Sequence, residues 1–244
     1  MSAVIQVLGA TQIFGSRTIF RDVRFDIEAG EVFVILGGSG CGKSTLLKQM
    51  IGLLPPTAGD ITVAGHSVSR ETQAVRRQIG VMFQSGALFG SMNLLENVSL
   101  PLSVFTDLPA DACAEIARLK LGLVGLGDAA LRLPAEISGG MVKRAAIARA
   151  LALDPPILML DEPSAGLDPV TSAGLDKLIL SLRDTLGTSC VVVTHELASI
   201  MAIADRCAML DAKAQGLIAL GSPQALKQDA TNPTVRAFFH RETL

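Results

Sequence analysis

The 244-residue chain contains no tryptophan and no tyrosine, and only 4% of its residues are aromatic although 49% are hydrophobic. The apolar content is therefore mostly aliphatic, which favours a core of parallel strands covered by helices. An excess of charge of one sign is also missing, because the formal net charge is only −2. Without a strong positive field, we expect no nucleic-acid partner.

Segments typical of export or membrane insertion are also lacking. Residues 1–10 have no basic start followed by an apolar stretch, and no window has the long uncharged run of a membrane span. We therefore expect neither a signal peptide nor a transmembrane helix. Four cysteines are present but form no C-x-x-C pair, which argues against disulfides and against a zinc site.

The chain does contain a complete pattern for a phosphate-binding loop. Residues 37–45 match G-x-x-x-x-G-K-[ST] and lie between an apolar run at 32–36 and a helical pattern at 46–51. The glycines let backbone N–H groups turn toward an anion, at which the following helix also points its N-terminus. Lys43 can reach the β- and γ-phosphates, and the Ser44 hydroxyl can bind Mg²⁺. The predicted triphosphate site consists of Gly37, Gly38, Ser39, Gly40, Cys41, Gly42, Lys43, Ser44 and Thr45.

Two carboxylates follow a second apolar run. Residues 157–160 are all apolar and lead directly to Asp161 and Glu162. Since α/β sheets bind ligands at the carboxyl ends of their strands, we expect both side chains to face the triphosphate. Asp161 is then expected to hold Mg²⁺, directly or through water, and Glu162 to orient or deprotonate the attacking water.

A second anion site is predicted at Ser138. This residue is suited to cap the helix that follows, and Gly139 and Gly140 leave the helix N-terminus uncovered. An ordinary capped helix is the alternative. Because one ATP cannot occupy two cradles of the same chain unless they converge, we expect this one to serve a nucleotide bound by another copy.

Apolar patterns also predict the organisation of the chain. Alternation at residues 4–8 and 23–27 predicts half-buried antiparallel strands, whereas helical patterns dominate 85–154. We predict a single domain over 1–244, in which Val235, Phe238 and Phe239 pack on a partner, such as a second copy. Its predicted parts are a core of residues 1–84 and 155–221, a helical subdomain of residues 85–154, and a helical tail of residues 222–244.

The order of these motifs resembles the nucleotide-binding subunit of an ABC transporter. The resemblance spans residues 14–221 and implies an α/β fold of the P-loop NTPase class. That fold has a RecA-like parallel sheet, an N-terminal antiparallel β-subdomain and a helical insertion. The resemblance further implies ATP hydrolysis with Mg²⁺ and a homodimer of two copies that sandwiches two ATP molecules. The motifs that carry it, besides the phosphate loop, are Gln84, Ser138-Gly139-Gly140, Asp161-Glu162, Asp168 and His195.

The resemblance implies a role for each matching position. Phe14 would stack on adenine, Gln84 would contact Mg²⁺ and the attacking water, and His195 would contact the γ-phosphate. Ser138, Gly139 and Gly140 would bind the γ-phosphate of the partner copy, and Asp168 would link the two copies. Met141 stands where the family usually has glutamine and cannot make glutamine's polar contacts, so the role of this fifth signature position stays open.

Residues 138–141, together with 83–89 and 92–98, resemble the ATPases of the Mla and Mce lipid transporters. This implies a transmembrane permease, a periplasmic Mce-domain lipid-binding subunit and, in the Mla case, a small cytoplasmic accessory protein. The chain would then lie peripherally on the cytoplasmic face of the inner membrane. The alternatives are an ATPase of an amino-acid or ion ABC importer, or a non-transport ABC ATPase acting on ribosomes or DNA. We also expect the apolar residues of 88–98 to be divided between the core and an exposed groove for a membrane partner.

Overall fold

The computed structural model describes residues 3–229 and 231–242, so residue 230 and the last two residues of the predicted tail lie outside the described residues. The strands are β1 (Ala3–Phe14), β2 (Arg17–Glu28), β3 (Val32–Gly37), β4 (Ala58–Val63), β5 (His66–Ser67), β6 (Ile79–Met82), β7 (Ile157–Asp161), β8 (Ser189–Val193), β9 (Arg206–Asp211) and β10 (Gly216–Gly221).

The helices are α1 (Lys43–Met50), α2 (Thr72–Arg77), α3 (Leu94–Phe105), α4 (Ala110–Leu123), α5 (Gly139–Ala150), α6 (Pro169–Leu186), α7 (Leu197–Ile203), α8 (Pro223–Asp229) and α9 (Pro233–His240), with short 3₁₀ turns at Gly127–Ala129 and Pro134–Glu136. Over residues 3–229 and 231–242, none of these helices combines the length and apolarity needed to cross a membrane.

The larger sheet has six strands in the order β10-β9-β3-β8-β7-β6. All neighbouring strands are parallel except β9 and β10, which pair antiparallel at one edge. Every residue of β3, β7 and β8 is buried, as expected for parallel strands covered on both faces. The predicted α/β fold is confirmed, and its sheet brings the carboxyl ends of β3, β6, β7 and β8 to one edge.

A separate antiparallel sheet has the order β2-β1-β4-β5, which confirms the predicted antiparallel N-terminal strands. Its long hairpin pairs Ile5 with Ile27 and Val7 with Phe25, and these side chains face the core. Phe25 stacks on Phe33 of β3 with ring centroids 5.1 Å apart, so the two sheets share one apolar interior.

The segment between β6 and β7 contains α3, α4 and α5 and, within the described residues, no strand. Its helices pack around a common core, although the exact limits of the subdomain at 85 and 154 stay a prediction. In the apolar segment 88–98, Leu94 and Val98 are fully buried and Phe89 is 51% exposed. The expected division between core and surface is therefore confirmed.

The C-terminal helix α9 packs on the chain's own core. Val235 and Phe239 are 1% and 2% exposed, and Phe239 meets Phe238 edge to face at 5.4 Å. The prediction that these residues pack on a partner is wrong for Val235 and Phe239, because their spacing of four residues places both on the face of α9 that covers the domain. Phe238 remains partly exposed.

Candidate nucleotide site

The phosphate loop joins β3 to α1 and depends on glycine at defined positions. Gly37 and Gly42 have φ angles of 146° and 103°, which side chains of L-residues rarely adopt. A Cβ on Gly37 would lie 2.2 Å from the carbonyl oxygen of Leu210, and one on Gly42 would lie 2.7 Å from the Phe20 ring. The loop can therefore follow this path only with bare backbone at both positions.

Lys43 lies across the mouth of this loop. Its Nζ donates hydrogen bonds to the carbonyl oxygens of Gly37 at 2.8 Å and Gly38 at 3.1 Å. The first turn of α1 leaves backbone N–H groups directed to the same place. A positive charge and several donors thus converge at the predicted position of the phosphates.

Asp161 ends strand β7 and faces the first turn of α1. Ser44 Oγ donates a hydrogen bond to Asp161 Oδ1 at 3.3 Å. Burial raises the pKa of Asp161 above its usual value, an effect opposed by the Ser44 hydrogen bond and strengthened by the nearby charge of Glu162. A hydroxyl and a carboxylate side by side are the hard oxygen ligands that Mg²⁺ prefers, so the residues present fit this ion.

Glu162 follows in a left-handed backbone conformation, with φ of 46°. This conformation is uncommon outside glycine and is often found at functional sites. Glu162 Oε1 accepts a hydrogen bond from Nδ1 of His195 at 2.9 Å. Its other oxygen, Oε2, is buried and has no hydrogen-bond partner among the residues that the structure describes. One carboxylate oxygen is thus available to accept a hydrogen bond from water, or a proton.

Gln84 lies two residues beyond β6. Its side chain is exposed and lines an open cavity of about 640 Å³ together with Asp161, Lys48 and Gly166. The structure therefore brings Gln84 and Asp161 to one cavity, as predicted for residues that share a metal ion and a water.

Phe14 ends β1 and is 49% exposed. The hairpin that carries it packs against the phosphate loop, because Ile19 and Phe20 lie beside Gly42. Phe14 thus offers an exposed aromatic face on the hairpin that contacts the loop, and an adenine ring could stack on it.

The second group of predicted residues lies at the N-termini of helices α5 and α6. Ser138 caps α5, where its Oγ accepts a hydrogen bond from the Met141 N–H at 3.3 Å. Asp168 caps α6 by accepting hydrogen bonds from the Val170 and Thr171 N–H groups, each at 3.0 Å. Within the described residues, Ser138 is hydrogen-bonded only to its own helix. No hydrogen bond among the described residues joins Ser138 to the phosphate loop.

Gly140 explains how this second group is held together. A Cβ at this position would lie 2.6 Å from Thr171 Cγ2, so α5 and the start of α6 approach closely. Ser138, Gly139 and Asp168 are all exposed beside this contact. Met141 instead points its partly buried side chain at the helical core, which accounts for an apolar residue at a position where the resemblance leads one to expect glutamine.

Sequence reasoning missed two cations of α5. Lys143 is 7% exposed, and its Nζ donates a hydrogen bond to the Gln84 carbonyl oxygen. Arg149 donates hydrogen bonds to the carbonyl oxygens of Gly86 and Ala87, in the same loop after β6. The only signal in the sequence is that they lie on either side of the apolar run at 145–148, which indicates that this part of the helix is buried.

With this geometry in place, comparison with known proteins gives the family. Residues 20–165 match the protein family described as ABC transporter. The chain belongs to this family of ATPases. The phosphate loop, Asp161 and Glu162 all lie within the matched residues.

Curated relatives of this ABC ATPase cover most of the chain. The intermembrane phospholipid transport system ATP-binding protein MlaF of Escherichia coli is 42% identical over 228 residues, which are 92% of this chain and 84% of the relative. The probable ribonucleotide transport ATP-binding protein mkl of Mycobacterium leprae is 43% identical over 244 residues, covering 98% of this chain and 70% of the relative.

Solved structures agree with the fold of this ABC ATPase. The protein cbiO1 of Clostridium perfringens, part of an ABC transporter complex, superposes with a TM-score of 0.85 at 28% identity over 94% of this chain and 92% of its own. A dimeric ATP-binding cassette in a post-hydrolysis state, bound to ADP and Pi, has a TM-score of 0.79 at 30% identity over 89% and 98% of the two chains.

Proposed function

We propose that two copies of this ABC ATPase bind two ATP molecules, each between residues 37–45 of one copy and residues 138–141 of the other. The exposure of Ser138 and Asp168 supports this arrangement, as does the lack, among the described residues, of a hydrogen bond from Ser138 to the chain's own phosphate loop. A structural relative with ADP and Pi bound is itself dimeric. Bound ATP would then join the two copies, and hydrolysis would release them, which gives the two states that a transport cycle requires.

The residue roles follow from the contacts described above. Phe14 stacks on adenine. Lys43 gives up its hydrogen bonds to the Gly37 and Gly38 carbonyl oxygens and binds the β- and γ-phosphates instead. Ser44, Asp161 and Gln84 would hold Mg²⁺, which would neutralise charge on the phosphates. The remaining chemistry is assigned to Glu162 and His195.

The observation that carries the hydrolysis proposal is Oε2 of Glu162, which is buried and has no hydrogen-bond partner in residues 3–229 and 231–242. This oxygen accepts a hydrogen bond from the attacking water and then takes up the proton that the water loses. His195 holds the opposite oxygen of the carboxylate at 2.9 Å and is itself 61% exposed at the side chain, so it can also reach the γ-phosphate. Asp168 contacts the second copy.

We further propose that the energy of hydrolysis drives movement of phospholipids between the inner membrane and the outer envelope. The relatives named for intermembrane phospholipid transport support this cargo. The partners would be transmembrane permease subunits, a periplasmic Mce-domain lipid-binding subunit and a small cytoplasmic accessory protein. The chain would lie peripherally on the cytoplasmic face of the inner membrane. These relatives do not favour an amino-acid or ion importer.

Copurification tests the proposed cargo. The tagged chain, expressed in its own host and extracted in mild detergent, is expected to bring down a multi-helix permease with bound phospholipid, measured by mass spectrometry of proteins and lipids. Recovery of ribosomes or of a soluble solute-binding protein would contradict the proposal. Because one relative is named for ribonucleotide transport, uptake of labelled ribonucleotide by proteoliposomes of the purified complex should also be measured, and it is expected to be absent.

A further inference from the structure

Helix α5 holds the loop after β6 through two basic side chains. Lys143 Nζ donates a hydrogen bond to the carbonyl oxygen of Gln84. Arg149 donates from Nη2 to the Gly86 carbonyl at 2.9 Å and from Nη1 to the Ala87 carbonyl at 2.7 Å. We call residues 84–87 the glutamine loop. Three of its four carbonyl groups are thus bound by one helix.

The glutamine loop also fits α5 sterically. Gly86 and Ala87 adopt φ angles of 78° and 49°, and a Cβ on Gly86 would lie 3.0 Å from Val142 of α5. The loop therefore turns directly over the helix, in a conformation that brings its carbonyl oxygens toward the two cations. A side chain at position 86 would therefore push the loop away from α5.

Lys143 is buried at the centre of this contact, with 7% of its surface exposed. Burying a charge is unfavourable unless the charged group is hydrogen-bonded, so the ammonium group requires the Gln84 carbonyl oxygen as its acceptor. Lys143 consequently joins α5 to the glutamine loop at Gln84.

We propose that Lys143 and Arg149 are positioning residues that couple the glutamine loop of one nucleotide site to Ser138 at the start of α5, which serves the other site. This inference rests on the proposed two-copy function. Ser138 and Lys143 are five residues apart, which is about 7.5 Å along a rigid helix. A displacement of Gln84 by nucleotide therefore moves α5 and, with it, the surface offered to the second nucleotide.

The contact between α5 and the glutamine loop, on which the coupling depends, can be tested without any nucleotide. In Lys143→Met, we expect the backbone amides of residues 84–89 to exchange hydrogen for deuterium at least about tenfold faster than in the unaltered chain, because a charge-assisted hydrogen bond is lost. Arg144→Met is the matched control: Arg144 lies on the same helix but faces Gly125 and Gly174. It is expected to leave this exchange unchanged. Equal protection of residues 84–89 in Lys143→Met and the unaltered chain would overturn the proposal.

The second test uses steady-state ATPase kinetics. We expect Lys143→Met to lower kcat by about tenfold with little change in KM, because Lys43 and Phe14 bind ATP from other elements. If Lys143 acts through Gln84, the Lys143→Met/Gln84→Ala double variant should be no slower than Gln84→Ala alone. Losses that multiply in the double variant would contradict that route of action.

Two further variants keep the inference testable if Lys143→Met does not fold. Lys143→Gln keeps an N–H donor without the charge and is expected to restore part of the loss, and Arg149→Lys is expected to loosen only residues 86–87. If neither substitution changes exchange in the glutamine loop, the inference is wrong. If the unaltered chain shows no ATPase activity although the exchange results are as expected, the proposed function fails while the contact between α5 and the glutamine loop stands.

Discussion

Substitution of Glu162 by glutamine tests the general-base role of this residue without changing the size of its side chain. In the structure, Oε1 accepts a hydrogen bond from His195 and Oε2 is buried without a partner in the described chain. Glutamine keeps the size and one acceptor oxygen of glutamate but cannot take up a proton as a carboxylate does. The substitution should therefore remove the general base and leave the surrounding fold in place.

The expected size of the effect follows from the single role assigned to Glu162. A positioned general base contributes about 10²- to 10⁴-fold in rate, equivalent to about 3–5 kcal/mol of the barrier. ATP binding should persist, because Lys43 and Phe14 lie on other elements. Loss of the Glu162 charge also removes one of the causes that raise the pKa of Asp161, so Asp161 stays ionised more readily. Glu162→Gln should thus bind MgATP at least as well as the unaltered chain.

The assay combines phosphate release with size-exclusion chromatography in MgATP. We expect Glu162→Gln to release phosphate at least about 100-fold more slowly and to elute as an ATP-bound dimer. Glu196→Gln is the matched control, since Glu196 follows His195 in the chain but hydrogen-bonds with Ser172 at 3.4 Å. Near-normal turnover in Glu162→Gln, or an equal loss in Glu196→Gln, would refute the assignment of the base.

Three other outcomes are expected. Lys43→Ala should weaken ATP binding by at least about tenfold, measured with a fluorescent ATP analogue, and unchanged affinity would contradict its role. Phe239→Ala should lower the free energy of unfolding by about 3–5 kcal/mol in a denaturant titration, and a loss below about 1 kcal/mol would show that α9 does not pack as described. Burial raises the pKa of Cys190 and Cys207 to about 12, so both stay protonated at pH 8 and should react with iodoacetamide only after unfolding. Rapid labelling of the native protein would contradict this.

The strands and the phosphate loop could be predicted from sequence because each leaves a local signal. Residues 32–36 and 157–160 are uninterrupted apolar runs, and such runs bounded by turns are typical of buried parallel strands. The spacing of glycines around Lys43 follows from the backbone angles that the loop requires. These features depend on neighbours in the chain, which the sequence displays directly.

The remaining features depend on contacts between distant residues. A lysine in a helix is usually solvated, and nothing near Lys143 in the sequence reveals that the Gln84 carbonyl, 59 residues away, is its partner. The left-handed φ of Glu162 likewise has no signal in the sequence, and neither has the hydrogen bond that its N–H donates to the Val193 carbonyl of β8 at 2.8 Å. The three apolar residues of α9 were predicted to pack on a partner, and only the packed structure shows that Val235 and Phe239 cover the chain's own core.

The two hydrogen bonds from Lys43 to its own loop have a consequence for how nucleotide affinity arises. The ammonium group of Lys43 holds the Gly37 and Gly38 carbonyl oxygens in place at the mouth of the loop. In the proposed role of Lys43, phosphate would take the place of these carbonyl oxygens around one nitrogen atom, with little reorganisation of the loop. A substitution of Lys43 would therefore remove both the attraction for the phosphate and the preorganisation of the loop that receives it.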